Sequence, residues 1–316
     1  MKILATGDWH IRQTVPRKRI DDYVATQDCK IDSVLNIAVK NKCSLILQPG
    51  DFFDSHKAND FLKRKMIRTI KKHGYPPIYT IFGQHDLRYH SSDTKNTPLR
   101  VLEAAGVVSI LGYKRGPSIA IHTNPPTIKH SNIHIYGTSW FEDIPDITTE
   151  GINILVIHEM IIKNEKLWEG QEDATKGNIL LQNHKFDFVV AGDNHQSFSI
   201  STGKKHLVNC GSLMRMTTAQ LDHNPCVYIY DTDERSIEKH YLPIAPVEEV
   251  FDLSTIEKEK KENKELEAFV SRLKDNVKID GLDYPKNLFK YLEDNKMEID
   301  QGTLDIIKEV MENEAD

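Results

Sequence analysis

Short apolar runs recur through the first three quarters of the chain: 2–6, Leu45-Ile46-Leu47, 77–82, Ile133-His134-Ile135-Tyr136, Ile154-Leu155-Val156-Ile157, Phe188-Val189-Val190, Leu207-Val208 and Val227-Tyr228-Ile229-Tyr230. Runs this short and this apolar, bounded by glycine and proline, read as buried β-strands. Between them, 20–41, 59–73, 97–105 and 176–183 repeat apolar residues at helical spacing. The later strands crowd together with short turns between them, so a purely doubly wound sheet does not fit. The pattern predicts an α/β fold in layers, two sheets flanked by helices.

The pattern changes at Pro243 and Pro246. From Ser254 to Asp275 the chain is charged and nearly free of glycine and proline, with Ile256, Leu266, Phe269, Val270 and Leu273 at roughly helical intervals. A segment led by Pro285 and a closing Thr303-Leu304-Asp305-Ile306-Ile307 read as further short helices. The expected organisation is a main domain over 1–245 and a small, charged, helical C-terminal extension over 246–316, a capping or partner-binding region.

Composition adds bounds to this picture. The 316 residues are 39% hydrophobic and 28% charged, ordinary for a soluble globular protein. No apolar run approaches the roughly 18 residues of a membrane span. The first strand begins at the N-terminus and leaves no room for a signal peptide. Cys29, Cys43, Cys210 and Cys226 are widely spaced and read as reduced thiols, so a cytoplasmic location is expected. Residues 246–316 carry 20 acidic and 11 basic residues, a net of −9, against 30 basic and 27 acidic residues before them, a net of +3. A mildly basic body with an acidic tail permits a polyanionic substrate without proving one.

The candidate chemistry lies just past the strands. In the stretch PPIYTIFGQHDLRYH (76–90), a core strand opens directly onto Gln84, His85 and Asp86. The same thing happens elsewhere: Gly7-Asp8-Trp9-His10 follows the first strand, Gly50-Asp51-Phe52-Phe53-Asp54 the second, His158 the run ending at Ile157, and Gly192-Asp193-Asn194-His195 the run ending at Ala191. Carboxyl ends of strands are where loops converge to build sites in α/β sheets. Any one of these residues alone is unremarkable, because Gly-Asp is common in turns. Together, so many carboxylates and imidazoles would repel and desolvate one another at a cost of several kcal/mol without a cation. Mixed oxygen and nitrogen donors suit divalent Mn²⁺, Fe²⁺ or Zn²⁺ in a two-metal hydrolytic site.

The ordered set Asp8-x-His10, Gly50-Asp51-x-x-Asp54, Gly83-Gln84-His85-Asp86, His158 and Gly192-Asp193-x-His195 resembles the calcineurin-like metallophosphoesterases. Within them it is most similar to the SbcD nucleases, their eukaryotic and archaeal double-strand-break-repair relatives and the matching phage recombination nuclease subunits. The segment Asn209-Cys210-Gly211-Ser212-Leu213-Met214-Arg215 is similar to the Gly-Ser-x-x-Arg stretch that follows the last motif in those nucleases. The resemblance spans roughly 1–245.

By that resemblance, Asp8, His10, Asp51 and His195 hold one metal, and Asp51 is shared with a second held by Gln84, His158 and Asp193. His85 is implied to assist the leaving group rather than to bind metal, with Asp86 accepting its other ring N–H, and Asp54 to play a supporting part. The family usually has Asn at position 84 and His at 193. The substitutions raise the protein charge facing the metals from −2 to −3 (Asp8, Asp51, Asp193), which favours harder ions, Mn²⁺ or Mg²⁺.

The implied function is a metal-dependent DNA exo- or endonuclease of recombination and double-strand-break repair. Implied partners are DNA, an SbcC-like coiled-coil ATPase docked on the C-terminal helices, and a second copy joined through helices 59–73 and 97–105, where Phe61, Leu62, Met66 and Ile70 share a face. Arg12, Arg17, Lys18 and Arg19, just past the first motif, are candidates to hold the DNA backbone. Two other readings are a phosphatase or small-molecule phosphodiesterase of the same superfamily, and a catalytically impaired scaffold subunit.

Overall fold

A computed structural model describes residues 1–254 apart from residue 73 and the segments 113–118, 123–131, 148–149 and 164–173. The helices expected beyond Ser254 lie outside the described residues. Residues Met1–Leu253 form one compact unit.

Among the described residues, fourteen strands are arranged mainly in two six-stranded sheets. The first contains β1 (Lys2–Ala5), β2 (Leu45–Gln48), β3 (Ile78–Thr80), β4 (Val108–Ile110), β13 (Cys226–Asp231) and β14 (Ser236–Tyr241), in the order β14-β13-β1-β2-β3-β4. The second contains β5 (Ile119–His122), β6 (Asn132–Thr138), β7 (Ile152–His158), β10 (Phe188–Gly192), β11 (Phe198–Thr202) and β12 (Lys205–Asn209), in the order β11-β12-β10-β7-β6-β5. A short pair, β8 (Ile161–Ile162) and β9 (Thr175–Lys176), stands apart. Pairing is parallel from β1 through β4 and from β6 through β7 and β10 to β12, so these strands release their loops at the same end of each sheet.

The continuous apolar runs follow from burial on both faces. Ile3 and Ala5 of β1 and Leu45 and Leu47 of β2 meet Ile154, Val156, Phe188 and Val190 in a core between the sheets. Leu4 and Ile46 point the other way, into a core shared with helices α1 (Tyr23–Lys40), α2 (Asp60–Lys71) and α3 (Pro98–Ala104). Leu155, Ile157 and Val189 face α4 (Gly177–Asn183) on the outside of the second sheet. The architecture is α/β with two main sheets flanked by helices, as the sequence predicts. A last short helix, α5 (Val247–Val250), leads Phe251 into a bridge with Arg19, so residues just past the expected boundary at 245 pack on the main unit.

One expectation needs correction here. Leu62, Met66 and Ile70 do not form an outward face of α2; they are buried in the core beneath it. The outward apolar groups are Phe61 on α2 and Val101 on α3, both exposed. An amphipathic stripe cannot reveal from its spacing alone whether its sheet or a second chain covers it.

Candidate metal centre

Asp8 and His10 leave β1, Asp51 leaves β2, Gln84 and His85 leave β3, His158 ends β7, and Asp193 and His195 leave β10. The structure brings all of them together. His10 Nε2 lies 3.0 Å from His195 Nε2. Asp51 Oδ2 stands between two rings, 3.7 Å from His10 Nε2 and 3.4 Å from His158 Nε2. Asp8 Oδ2 is 3.7 Å from His195 Nε2 and accepts the Asp193 N–H at 3.0 Å.

The glycines that precede these residues are there for space. A Cβ on Gly83 would run into the Asp51 carboxylate, and one on Gly192 would meet Asp8 Oδ1 at 2.6 Å and His158 Nδ1 at 2.8 Å. The backbone is also strained where the ligands sit: His10, Asp51 and Asp193 adopt φ of 44°, 48° and 76°. Non-glycine residues rarely hold such angles, and when they do they cluster at functional sites. Asp51 is held there because its carbonyl accepts the Trp9 and His10 N–H groups and its Oδ1 accepts the His85 N–H.

The donor set fits divalent metal. Asp8 Oδ1 and Asp51 Oδ2 are buried and accept no hydrogen bond, which is costly for a carboxylate unless a cation takes the lone pairs. Asp8, His10 and His195 each offer an atom within 4.8 Å of the others, and so do His10, Asp51 and His85. Burial pushes His10 down to about 3 and lowers His195 as well, so both rings are neutral and offer a lone pair. These are the properties of a first metal position built by Asp8, His10, Asp51 and His195.

The second position is tied together differently. Gln84 donates through Nε2 to Asp193 Oδ1 at 2.8 Å, and its Oε1 accepts from His158 Nε2 at 2.7 Å. His158 Nδ1 donates to the Pro49 carbonyl at 2.6 Å. Burial disfavours charge on His158, but Asp51, Asp8 and Asp193 outweigh it and hold its pKa up at about 10. With both ring nitrogens donating, His158 must release a proton before it can coordinate.

The geometry explains why glutamine stands at position 84. Its extra methylene lets one amide span His158 and Asp193. Gln84→Asn shortens that reach by about 1.5 Å, the length of one carbon–carbon bond, and leaves Asp193 unpartnered. Asp193→His suits the left-handed backbone, where histidine is tolerated, but deprives the Gln84 amide of its acceptor. Each single change should therefore weaken the second metal, while the double change restores a compact Asn–His pair. A double-mutant cycle of metal affinity in Mn²⁺, Mg²⁺ and Zn²⁺ should give a coupling of about 0.5–3 kcal/mol, with Zn²⁺ tolerance rising in the double variant. Additive effects would show that the two residues do not share an ion.

One expected role changes. Asp86 does not orient the His85 ring. Its oxygens accept the N–H groups of Gly83, Phe52 and Phe53 at 3.1–3.2 Å, which clamps the Asp51 loop to the His85 turn. The His85 ring instead places Nδ1 3.2 Å from the Asp54 carbonyl oxygen. Backbone amides outcompete a ring N–H here because the buried turn presents three of them together.

Of the four basic residues, Arg12 borders the site and pairs with Asp54 at 3.0 Å, and Arg17 is exposed. Arg19 is turned inward, bound to Asp21 and the Arg215 carbonyl and stacked near Tyr23 and Phe251, and the Lys18 ammonium is enclosed. Those two are not placed to hold a nucleic-acid backbone.

The sequence reading missed Gln48. It is fully buried, donates to the Gly7 and Gly50 carbonyls and accepts the Gly50 N–H at 3.1 Å, so one amide braces two ligand loops. A polar residue closing the apolar run Leu45–Leu47 was the available signal. Ser212 bridges to Asp8, with Leu213 N–H on the Asp8 carbonyl at 2.8 Å, which places the Gly211–Arg215 stretch against the first metal position.

Residues 1–197 match the family model of the calcineurin-like phosphoesterases, and the chain belongs to that family. It is 23% identical over 282 residues to the double-strand break repair protein MRE11 of Encephalitozoon cuniculi, covering 76% of this chain and 47% of that protein. The chain thus spans about half the length of the curated relative it matches. Among solved structures, TT1561 of Thermus thermophilus is similar at 11% identity, 77% and 99% coverage of the two chains and a TM-score of 0.46. GAP50 of Plasmodium is similar at 15% identity, 78% and 89% coverage and a TM-score of 0.44.

Proposed function

We propose that this calcineurin-like phosphoesterase is a DNA nuclease of recombination and double-strand-break repair, hydrolysing phosphodiesters with two divalent metals, Mn²⁺ or Mg²⁺. The observation that carries the reading is the convergence of Asp8, His10, Asp51, Gln84, His158, Asp193 and His195 on one place, with the His85 ring beside them. The similarity to a double-strand break repair protein supports the choice of DNA as substrate.

When bound, divalent cations supply charge neutralisation at the phosphate and activation of the attacking water. The chain's own residues do the rest. Asp51, shared between the two positions, fixes them relative to each other. His85 Nδ1 faces a carbonyl oxygen, which only accepts, so Nδ1 carries a proton and Nε2 is the atom that exchanges one with the leaving oxygen. Arg12, held by Asp54 at the edge of the site, is placed to meet a phosphate.

The test is cleavage of defined single- and double-stranded DNA ends in Mn²⁺, alone and with a candidate SbcC-like ATPase, compared with phosphomonoester turnover. Turnover of monoesters without DNA cleavage would favour a phosphatase, and no turnover with one metal or none bound would favour a scaffold subunit.

The same reading includes a homodimer through α2 and α3, with the C-terminal extension as the dock for the ATPase. Phe61 and Val101 are the exposed apolar groups on those helices. Phe61→Asp should halve the mass seen by light scattering while leaving small-substrate turnover intact; unchanged mass would exclude this surface. Leu62→Asp is not a useful probe, because it buries a charge in the core.

A further inference from the structure

A cleft of about 770 Å³ opens beside the candidate metal centre. Asp193 and His195 line it, and so do Lys239 and Tyr241 of β14. His223 and Ser197 are also part of its wall. Resting on the nuclease reading above, we propose that this cleft is a subsite for the nucleotides flanking the scissile phosphate, with a base stacked on Tyr241 and a backbone phosphate on Lys239.

Four observations support that occupant. Tyr241 is 64% exposed, so much of its ring is accessible beside the Lys239 side chain. Its backbone is fixed by pairing with Cys226 across β13 and β14. The Lys239 ammonium sits 4.8 Å from the Tyr241 ring centroid and 3.3 Å from Ser197 Oγ, so cation and ring are neighbours in the cleft wall. Finally, His223 Nε2 donates to the Ser212 carbonyl at 2.7 Å, and Ser212 N–H bonds the His195 carbonyl, which joins the cleft wall to the metal-side loop.

An exposed aromatic paired with a cation, in one cleft with the candidate metal centre, matches the way single strands are held without sequence preference. The lining has few of the large apolar anchors that a protein partner would need. Its volume lies in the range of small-ligand clefts, enough for a nucleotide.

The test uses the Mn²⁺-loaded protein and a fluorescein-labelled, phosphorothioate-linked 12-nucleotide single strand, followed by anisotropy. Turnover of bis(p-nitrophenyl) phosphate, a diester without flanking nucleotides, runs in parallel. Tyr241→Ala should raise the Kd for the strand about 5- to 100-fold, the range for removing one stacking partner, and Tyr241→Trp should restore it. Lys239→Ala should weaken binding and flatten its salt dependence. Turnover of the small diester should not change in any of the three.

Wild-type affinity in Tyr241→Ala overturns the subsite and leaves the nuclease reading standing. So does an equal loss on the small diester that Tyr241→Trp fails to rescue, which would assign Tyr241 to the sheet. If the wild-type protein turns over the small diester but neither binds nor cuts the strand, the nuclease reading falls and the subsite with it.

Discussion

Asp51→Asn should strip the protein of both metals and lower phosphodiester turnover by about 10³-fold or more. Asp51 is the carboxylate proposed to be shared by both positions: its Oδ2 is buried, unbonded, and lies 3.7 Å from His10 Nε2 and 3.4 Å from His158 Nε2. Removing a single preorganised electrostatic group already costs about 10²–10³ in turnover, and here one group serves two ions. Asparagine is the better probe than alanine, because position 51 sits at φ 48°, which asparagine tolerates and alanine does not.

Metal content by mass spectrometry is the direct measurement, and thermal stability is an independent one. Ions that bind the folded state only, at 100 times their Kd, add about 2.7 kcal/mol, or roughly 5–10 °C in Tm for a domain of this size. The wild type should show that rise on adding Mn²⁺, and Asp51→Asn should not. A variant that keeps two ions and the full rise would remove Asp51 from its bridging place.

The placement of these ligands was legible because each lies where a buried parallel strand ends, and buried strands announce themselves as unbroken apolar runs. The strands that escaped notice are β4, β5, β8, β9, β11 and β14. Four of them border a sheet, and β11 and β14 are half exposed, with Ser199, Ser201, Glu238 and Lys239 diluting the apolar signal. β4 contributes only three residues, and β8 and β9 two each. Edge and very short strands take their identity from pairing rather than composition.

The site was readable in the same uneven way. Residue types and order gave the candidate ligands, but not how they are held. The positive φ at His10, Asp51 and Asp193, the brace of Gln48 and the diversion of Asp86 to backbone amides all depend on which loops touch. The inward turn of Arg19 depends on Phe251, more than two hundred residues away. Charge and proximity in the chain cannot distinguish a cation waiting for phosphate from one already satisfied. Gln84 is intermediate: its departure from the family's asparagine was visible, and the reason for it, the bond to Asp193, was not.

His85→Ala should lower turnover by about 10²–10⁴-fold, the scale of general acid catalysis, while leaving two ions and strand binding in place. The structure offers two roles for this ring. His85 lies with His10 and Asp51 in a group whose atoms are close enough to share a metal. Its backbone N–H, however, is bound to Asp51 Oδ1, and its Nδ1 is turned to the Asp54 carbonyl at 3.2 Å, next to the Arg12–Asp54 pair. That tether orients the ring through a group that only accepts, which commits Nδ1 as donor; in the role proposed above it is Nε2 that serves the leaving oxygen. The first metal position, as proposed, has His10 and His195, both neutral, with Asp8 and Asp51 as counter-charges, and calls for no third imidazole.

The two roles separate experimentally. A proton donor matters most when the leaving group is a poor one, so His85→Ala should slow DNA cleavage far more than release of p-nitrophenolate, which leaves without help. A ligand would be lost for both substrates, together with metal content. Because alanine keeps the main-chain bond to Asp51, the carboxylate geometry is preserved and the comparison isolates the ring. Equal loss on both substrates with one ion missing would place His85 among the ligands. Selective loss on DNA with both ions retained would establish it as the acid.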